Sequence, residues 1–290
     1  MLVCIGDLVE DVVVWPLGGG PLTGTDNPAR VQRVRGGAAA NVAAFAAGLG
    51  TPVRFIGRVG DDPAGEALVQ QLTTAGVDAR VQRQGRTGTI VVLVDASGER
   101  TMYPDRAAAA ELADVPDSWI SGASAIHLSA YSLSGPCRQV LRQAAAIAYA
   151  ERAVLSVDAS SVALISSVGP AAFRDQIGRL RPAYLFANGA EADLGSLRDL
   201  AGPGTTVVVK NGVGPTEVHV GGDRPATVAV PPVDHVLDTT GAGDAFAAGF
   251  LTAVLRNAGV IEAVEAGHAL ASRVLTAPGA TIDLKDAARD

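Results

Sequence analysis

Beyond Pro116, short apolar runs alternate with segments that favour helices. The runs are 125–128, 154–157, 184–187 and 206–209. Strands that are apolar on both faces are typical of a parallel sheet, because helical crossovers cover both of its faces. Helices are expected between these strands, near 136–150, 170–179 and 190–200. The sequence therefore predicts an α/β fold with a mostly parallel central sheet covered by helices.

The N-terminal third contains runs of another kind, in which polar and apolar residues alternate. They are 12–15, 30–35, 79–83, 88–94 and 100–103. Such runs do not fit a sheet that is covered on both faces, because their polar side chains would lose water without gaining partners. We expect them to form a small antiparallel sheet, a lid built from insertions at about 12–35 and 79–104. No internal repeat or long linker interrupts the chain, so residues 1–290 are predicted to form a single domain that carries this lid.

Composition narrows the function. The 290 residues are 48% hydrophobic and carry a net charge of −7, with no basic run of five residues. This balance argues against a nucleic-acid partner. No apolar run reaches the ~18 residues of a membrane span, and the N-terminus shows no signal-peptide pattern, so a cytoplasmic protein without a membrane partner is expected. Cys4 and Cys137 have no metal-ligand spacing, and the two lysines, Lys210 and Lys285, do not form a Gly-Lys-Ser/Thr phosphate loop.

The segment 238–246, Asp-Thr-Thr-Gly-Ala-Gly-Asp-Ala-Phe, leads into a predicted helix. A turn made by Gly241, Ala242 and Gly243 leaves backbone N–H groups unpaired at the positive end of the helix dipole. Such a turn can hold a phosphate or a developing oxyanion. Asp244, in the first helical turn, could take a proton from a hydroxyl in the same pocket. From these residues alone, a capped helix after a glycine turn explains the segment equally well.

Polar residues also follow several of the predicted strands. In an open α/β sheet, ligands collect outside the carboxyl ends of the strands. The residues at such positions are Asp7, Asp11, Gly36, Gly37, Asn41, Asn188, Glu191, Lys210, Gly212, Gly214 and Asp244. Asn41 is the one polar side chain in the first turns of an alanine-rich helix, so it either bonds locally or faces a ligand.

Together these segments resemble the ribokinase-like kinases of sugars and nucleosides, the PfkB family. Residues 36–43, Gly-Gly-Ala-Ala-Ala-Asn-Val-Ala, resemble the first family signature, and residues 238–246 match the second. Residues 188–191, Asn-Gly-Ala-Glu, resemble its magnesium-associated element, and residues 209–214 its nucleotide-phosphate strand and turn. The segments occur in family order over essentially the whole chain. The resemblance implies the three-layer ribokinase-like fold.

The resemblance also implies an ATP-dependent phosphotransferase that acts on a hydroxyl of a sugar or sugar-like molecule. Asp244 would be the general base, and the amides of Ala242 and Gly243, which follow Gly241, would form the anion hole for the transferring phosphoryl group. Asn188 and Glu191 would hold Mg²⁺, through water. The acceptor would be bound by Asp11, Gly36, Gly37 and Asn41. The nucleotide would be bound by Lys210, Gly212, Gly214 and His268. A monovalent cation such as K⁺ would be bound by Asp238, Thr240 and Gly279.

Several of these residues have ordinary structural interpretations as well. Asn188 and Glu191 could simply begin a helix, Asp11 could be a turn residue beside the lid, and His268 could be a satisfied core side chain. Four arginines could be solvated lid charges or acceptor contacts: Arg33, Arg35, Arg100 and Arg106.

The acceptor side departs from the family pattern. Ala38 stands where ribokinases usually carry lysine, and residues 107–109, Ala-Ala-Ala, stand where many relatives have Gly-Ala-Asn. These departures argue against plain ribose as the acceptor. A kinase of adenosine-like nucleosides is an alternative, with an apolar lid surface formed by Val12, Val14, Trp15 and Val92. A non-catalytic sugar- or nucleotide-binding protein is a further alternative, but it would not need Asp244.

The predicted lid also suggests an oligomer. Its apolar face would be large for a monomer, and such patches tend to meet a partner. The sequence therefore predicts a homodimer in which two lids pack together. The small acceptor would bind beneath the lid, whose hinges are expected near Gly36, Gly37 and Pro104.

Overall fold

The computed structural model describes residues 1–18, 22–95, 99–222 and 224–276. In chain order, the strands are β1 (Leu2–Ile5), β2 (Val9–Pro16), β3 (Ala29–Gly36), β4 (Val53–Val59), β5 (Asp78–Arg83), β6 (Thr89–Val94), β7 (Arg100–Asp105), β8 (Ala125–Ser129), β9 (Val154–Asp158), β10 (Tyr184–Asn188), β11 (Thr206–Asn211), β12 (Gly214–Val220) and β13 (Ala226–Val228). The helices are α1 (Ala38–Gly48), α2 (Pro63–Thr74), α3 (Asp117–Ile120), α4 (Cys137–Glu151), α5 (Val162–Val168), α6 (Pro170–Leu180), α7 (Gly189–Gly195), α8 (Ala242–Leu255) and α9 (Val260–Leu275).

Among the described residues, nine strands form the larger sheet, in the order β13-β12-β11-β10-β9-β8-β1-β4-β5. Its seven strands from β11 to β5 are parallel, and β12 and β13 continue the sheet as an antiparallel hairpin. All four residues of β1 are fully buried at its centre. The mostly parallel sheet expected from the apolar runs is confirmed.

Helices cover both faces of this sheet and form two hydrophobic layers. One layer joins α1, α2, α8 and α9 to side chains such as Phe55, Phe186 and Val208. The other joins α4, α5, α6 and α7 to side chains such as Ile126 and Val157. No helix in the described part of the chain is long and apolar enough to cross a membrane.

A separate small sheet contains four of the described strands, in the order β3-β2-β6-β7. We keep the name lid for this sheet. Its inner side is a compact apolar cluster in which Val9, Val13, Ile90 and Val92 are buried. Strands β2 and β6 pair in parallel, whereas β2–β3 and β6–β7 are antiparallel. The expectation of a wholly antiparallel lid is therefore wrong at its centre, where two strands that both leave the main sheet run side by side.

The run at 79–83 was expected in the lid but belongs to the larger sheet. It lies in β5, which pairs in parallel with β4 at the sheet edge. Ala79 and Val81 pack on the main core, whereas Asp78 forms an ion pair of 2.8 Å with Arg54. An edge strand whose two faces differ in this way has the same alternation as a lid strand.

Aromatic packing fixes helix α8 against the main sheet. The Phe186 ring of β10 meets the rings of Phe246 and Phe250 edge-on, with centroids 6.1 and 5.1 Å apart. Residues 245–252 of α8 are all buried, because this stretch lies between the sheet and α9. The packing holds the first turn of α8 in a fixed place beside the polar groups described next.

Candidate active site

The first turn of α8 carries unpaired backbone donors. Gly241 precedes the helix in the left-handed conformation, with φ 75°. The Ala242 N–H donates to the Thr239 carbonyl oxygen at 3.3 Å, so it is partly engaged by the turn. The N–H groups of Gly243 and Asp244 have no acceptor among the described residues. These two amides, rather than that of Ala242, are the ones left to bind an anion.

Asp244 lies in this same turn and is half-buried. The Asn41 side-chain amide donates to its Oδ2 at 2.9 Å. Burial raises the pKa of the Asp244 carboxyl to about 8, and the charges of Asp158 and Asp7 add to the rise. The Asn41 hydrogen bond and the Lys210 ammonium act in the opposite direction but are weaker together. A carboxyl group with this pKa can exchange a proton near neutral pH.

Gly36 and Gly37 allow the start of α1 to approach two aspartates. A Cβ atom at Gly36 would lie 2.1 Å from Asp11 Oδ1. Gly37 has φ 101°, and a Cβ there would lie 2.4 Å from the Asp7 carbonyl oxygen. The structure therefore brings the predicted acceptor residues together. Asp11 lies against Gly36, and Asn41 connects this corner to Asp244.

Asp7 and Asp11 each contain a buried oxygen without a hydrogen-bond donor. In the described part of the chain, Oδ1 of both residues is inaccessible and unpaired. Burial and the charge of Asp7 raise the pKa of the Asp11 carboxyl to about 7, against the opposing charges of Arg106, Arg100 and Arg35. An unsatisfied buried acceptor costs roughly 1–3 kcal/mol, so a ligand hydroxyl that reached either oxygen would be stabilising.

Three of the four predicted lid arginines lie at this site. Arg35 is buried and donates to Asn41 Oδ1 at 3.4 Å, and burial lowers the pKa of its guanidinium to about 10. Arg106 forms an ion pair with Asp7. Arg100 donates to the Thr239 hydroxyl at 2.7 Å and to the Thr240 hydroxyl. Arg33 instead pairs with Glu10 at 3.3 Å with its side chain 71% exposed, so it is a solvated charge.

On the other side of the α8 turn, Lys210 forms an ion pair with Asp158. Lys210 Nζ lies 3.0 Å from Asp158 Oδ2, and a Cβ at Gly243 would lie 3.3 Å from this nitrogen. Burial lowers the pKa of Lys210, but Asp158, Glu191 and Asp244 outweigh it and raise that pKa overall. The ammonium is therefore positioned beside the unpaired amides. Asp158 was not singled out from the sequence, although it directly follows the predicted strand 154–157.

Asn188 and Glu191 begin helix α7 with a capping box. Asn188 Oδ1 accepts from the Glu191 N–H at 2.9 Å, and Glu191 Oε2 accepts from the Asn188 N–H at 2.8 Å. The helix-start interpretation is thus realised in this structure. Glu191 is also buried, and burial together with the charge of Asp158 raises the pKa of its carboxyl.

The remaining predicted nucleotide residues lie farther along the same edge of the sheet. Gly212 adopts φ 60° in the tight turn between β11 and β12, and Gly214 begins β12. His268 is buried in α9, where its Nε2 lies 2.8 Å from the Thr216 hydroxyl and its ring contacts Phe246. Its Nδ1 is buried without a partner in the described region. The nucleotide roles of these residues stay predictions.

The predicted monovalent-cation loop is described only in part. Asp238 Oδ1 accepts from the backbone N–H and the hydroxyl of Thr240, at 2.8 and 2.6 Å. Gly279 lies outside the described residues. Within the described ranges, no group of three or more His, Cys, Asp or Glu residues is arranged to hold a metal. Mg²⁺ does not need such a cage, because it usually binds one or two carboxylates together with water and substrate phosphates.

Comparison with known proteins agrees with this arrangement. Residues 1–287 match the pfkB family carbohydrate kinase domain. The chain is 35% identical to an ATP-dependent ribose-1-phosphate kinase of Halopiger xanaduensis, over 81% of this chain and 78% of that protein. It is 27% identical to adenosine kinase 1 of Arabidopsis thaliana, over 87% and 81% of the two chains.

Solved structures share the fold. The adenosine kinase of Sinorhizobium meliloti superimposes with a TM-score of 0.86 at 24% identity, covering 99% of this chain and 98% of that one. A probable sugar kinase of Rhizobium etli gives the same TM-score at 21% identity, covering 99% and 97%. The larger and smaller sheets together are thus those of the ribokinase-like fold. With a family match over residues 1–287, the chain belongs to the PfkB family of carbohydrate kinases, enzymes that transfer a phosphoryl group to sugars and nucleosides.

Proposed function

We propose that this kinase transfers the γ-phosphoryl group of ATP to a hydroxyl of a small sugar, with Asp244 as the general base. The observation that carries this assignment is the first turn of α8. There the half-buried Asp244 carboxyl, with a pKa of about 8, adjoins the Lys210 ammonium and two backbone amides that have no acceptor among the described residues. Phosphoryl transfer depends mainly on positioning and charge stabilisation, and this turn offers both beside one proton acceptor.

In the proposed reaction, Asp7 and Asp11 accept hydrogen bonds from hydroxyls of the sugar and orient it. The reacting hydroxyl gives its proton to the Asp244 carboxylate as its oxygen bonds to the γ-phosphorus and the bond to ADP breaks. The amides of Gly243 and Asp244, together with Lys210, stabilise negative charge on the transferring group. Asn41 holds the Asp244 carboxyl in place through its 2.9 Å hydrogen bond.

The donor side fits Mg²⁺. The carboxylates of Glu191 and Asp158 lie close enough that the charge of Asp158 raises the pKa of Glu191. Lys210 pairs with Asp158 at 3.0 Å and compensates part of this negative charge. The two carboxylates would hold Mg²⁺ with Asn188, largely through water. Bound Mg²⁺ would neutralise charge on the ATP phosphates. A K⁺ ion near Asp238 and Thr240 stays a proposal on the family resemblance alone.

A nucleoside acceptor is the second candidate. The apolar cluster on the inner side of the lid could contact a base, and it includes Val92 and Trp15 as expected. Val12 and Val14 do not belong to it, because adjacent residues of a strand point to opposite faces and Val13 faces inward. The likeness to adenosine kinase 1 of Arabidopsis thaliana also favours this candidate.

An ATP-consumption screen tests the proposal. The purified protein is given Mg²⁺ and ATP with neutral sugars, sugar phosphates, sugar acids and nucleosides, and the products are identified by ³¹P NMR. We expect ADP release that depends on a sugar acceptor, and a rate lower by roughly 10²-fold or more with the Asp244→Asn protein. Turnover on nucleosides alone would favour the second candidate, and the absence of turnover on every acceptor would contradict both.

We also propose a homodimer formed through the outer face of the lid. This face carries Val12, Val14 and Val91, which alternate with the inward-facing residues, and it includes Val31, 57% exposed, and Tyr103, 58% exposed. Two such faces could cover one another in a symmetric contact.

A further inference from the structure

Arg106 is fixed in the acceptor pocket with unused donor capacity. One of its terminal nitrogens pairs with Asp7, and its guanidinium lies 3.5 Å from the ring centre of Tyr131. Its side chain is 20% exposed. The other terminal nitrogen and Nε have no acceptor among the described residues. The planar fork that binds phosphate or carboxylate oxygens is therefore preformed and partly open.

The backbone of Arg106 and the residue after it is also fixed by close packing. A Cβ at Gly88 would lie 2.4 Å from the Arg106 carbonyl oxygen, so the end of β7 packs directly on the start of β6. The next residue, Ala107, has φ 41°, a left-handed conformation that costs a non-glycine residue roughly 1 kcal/mol or more. Such local strain is typical of positions where the surroundings fix a functional group.

Three guanidinium groups lie near Asp11, and one of them, that of Arg106, also pairs with Asp7. Arg106 exerts the strongest positive influence on Asp11, followed by Arg100 and Arg35. Both terminal nitrogens of Arg100 donate to threonine hydroxyls, and Arg35 donates to Asn41. Arg106 uses one terminal nitrogen, for Asp7, and its other terminal nitrogen has no acceptor among the described residues. A neutral acceptor needs hydroxyl partners, and Asp7 and Asp11 supply them. Pairing with Asp7 occupies one terminal nitrogen of Arg106, and a neutral acceptor would leave its remaining donors unused.

We infer that the acceptor is an anionic sugar, carrying a phosphate or carboxylate group that Arg106 binds while Asp7 and Asp11 accept its hydroxyls. This inference rests on the proposed kinase activity and narrows its substrate class. It agrees with the departures at Ala38 and residues 107–109, which argue against plain ribose. It also agrees with the likeness to a ribose-1-phosphate kinase.

The test compares neutral and anionic sugars as acceptors for the wild-type protein and for two arginine variants. The ratio kcat/KM is measured with ribose, ribose 1-phosphate, glucose and gluconate for wild type, Arg106→Gln and Arg86→Gln. Arg86 is the control, because it pairs with Asp105 at the lid edge with its side chain 60% exposed. Wild type should prefer at least one anionic sugar. Arg106→Gln should lower kcat/KM for that sugar by roughly 10- to 100-fold, as expected for a charge-assisted hydrogen bond, and for neutral sugars by only a few fold. Arg86→Gln should change neither.

The two anionic probes separate phosphate from carboxylate recognition. Equal or better turnover of neutral sugars by wild type would overturn the inference and leave the kinase assignment intact. An equal loss of kcat/KM on anionic and neutral acceptors in Arg106→Gln would also overturn the inference. It would show that Arg106 serves only to hold Asp7. If Arg106→Gln fails to fold, Arg106→Lys decides the matter. It keeps the charge without the fork and should retain only part of the anionic preference. No turnover on any acceptor would instead contradict the proposed function.

Discussion

At Asp244, burial and hydrogen bonding act in opposite directions on one carboxyl group. Burial is the stronger and raises its pKa to about 8, while Asn41 keeps the group oriented. The same residue in the exposed first turn of a helix would have a pKa near 4 and would be a weak proton acceptor. The packing of α8 against Phe186 therefore contributes to the chemistry as well as to stability.

The pKa of Asp244 predicts how activity depends on pH. The base must be unprotonated to accept the hydroxyl proton, so the active fraction of free enzyme rises as pH rises through about 8. The ratio kcat/KM should therefore increase roughly tenfold per unit below that value and level off above it. Initial rates at low acceptor concentration between pH 6 and 9.5 measure this profile. A flat profile would contradict the assignment, provided that Mg²⁺ and ATP are saturating throughout.

Ala107 offers a prediction about stability. Its φ of 41° is strained for alanine but not for glycine. Ala107→Gly should relieve that strain and stabilise the fold by up to about 1 kcal/mol, after allowing for the extra freedom of glycine in the unfolded chain. Ala108→Gly is the matched control, since Ala108 is buried and has no such strain, and it should destabilise by roughly 0.5–1 kcal/mol. Urea unfolding measures both, and equal destabilisation would argue against strain at Ala107.

At the scale of elements, the start of α7 serves two purposes. Its capping box stabilises the helix, and it directs the buried Glu191 toward the region of Asp158 and Lys210. Glutamine at the same position preserves a capping box but removes the charge. The two purposes can therefore be separated by one substitution.

We predict that Glu191→Gln raises the Mg²⁺ concentration needed for half-maximal activity several fold, with a smaller effect on the acceptor KM. Glu262→Gln is the matched control, because Glu262 occupies the corresponding capping position in α9, where it accepts from the Gly259 N–H at 3.0 Å. Mg²⁺ titrations at fixed ATP measure the effect. If both variants have the wild-type Mg²⁺ requirement, Glu191 acts only in the helix start.

The elements also show how far the sequence predicts the structure. Apolar runs identified the central strands, because a strand that is buried on both faces needs apolar side chains at nearly every position. Alternation did not distinguish an edge strand of the main sheet, such as β5, from a lid strand, since both have one wet face. Asp158 could have been predicted as a site residue, because it directly follows a predicted strand, where ligands bind in such a sheet. The contact of Arg100 with Thr239 and Thr240 joins positions about 140 residues apart, and no local pattern encodes it.

At the scale of the whole molecule, the lid and the main sheet meet at the candidate site. The lid supplies Asp11, Arg35 and Arg100, and the main fold supplies Asp7 and Asp244. Arg100 links the two parts directly through the loop that precedes α8. An acceptor bound between them would contact both parts, so its binding should favour a closed lid and exclude water from Asp244.

The outer lid face predicts a dimer of about twice the 29.3 kDa chain mass. Val31→Asp places a charge on this face, where Val31 is 57% exposed, and should shift the protein toward monomer. Val213→Asp is the control, since Val213 is 99% exposed in the turn between β11 and β12. Light scattering at micromolar concentration measures both. A wild-type monomer would exclude the lid-to-lid dimer and leave the lid itself unaffected.

The most direct test of the account is the turnover of Asp244→Asn. This change preserves size and the Asn41 contact but removes the proton acceptor, so kcat should fall by roughly 10²- to 10⁴-fold while ATP affinity is kept. Stability provides the folding control. The folded-state pKa of Asp244 lies above its unfolded value, so ionisation lowers stability as pH rises from about 4 to about 8. The variant should therefore melt at least as high as wild type at pH 8. A large loss of kcat in such a folded protein is the predicted result, and near-normal turnover would contradict the role of Asp244 as the base.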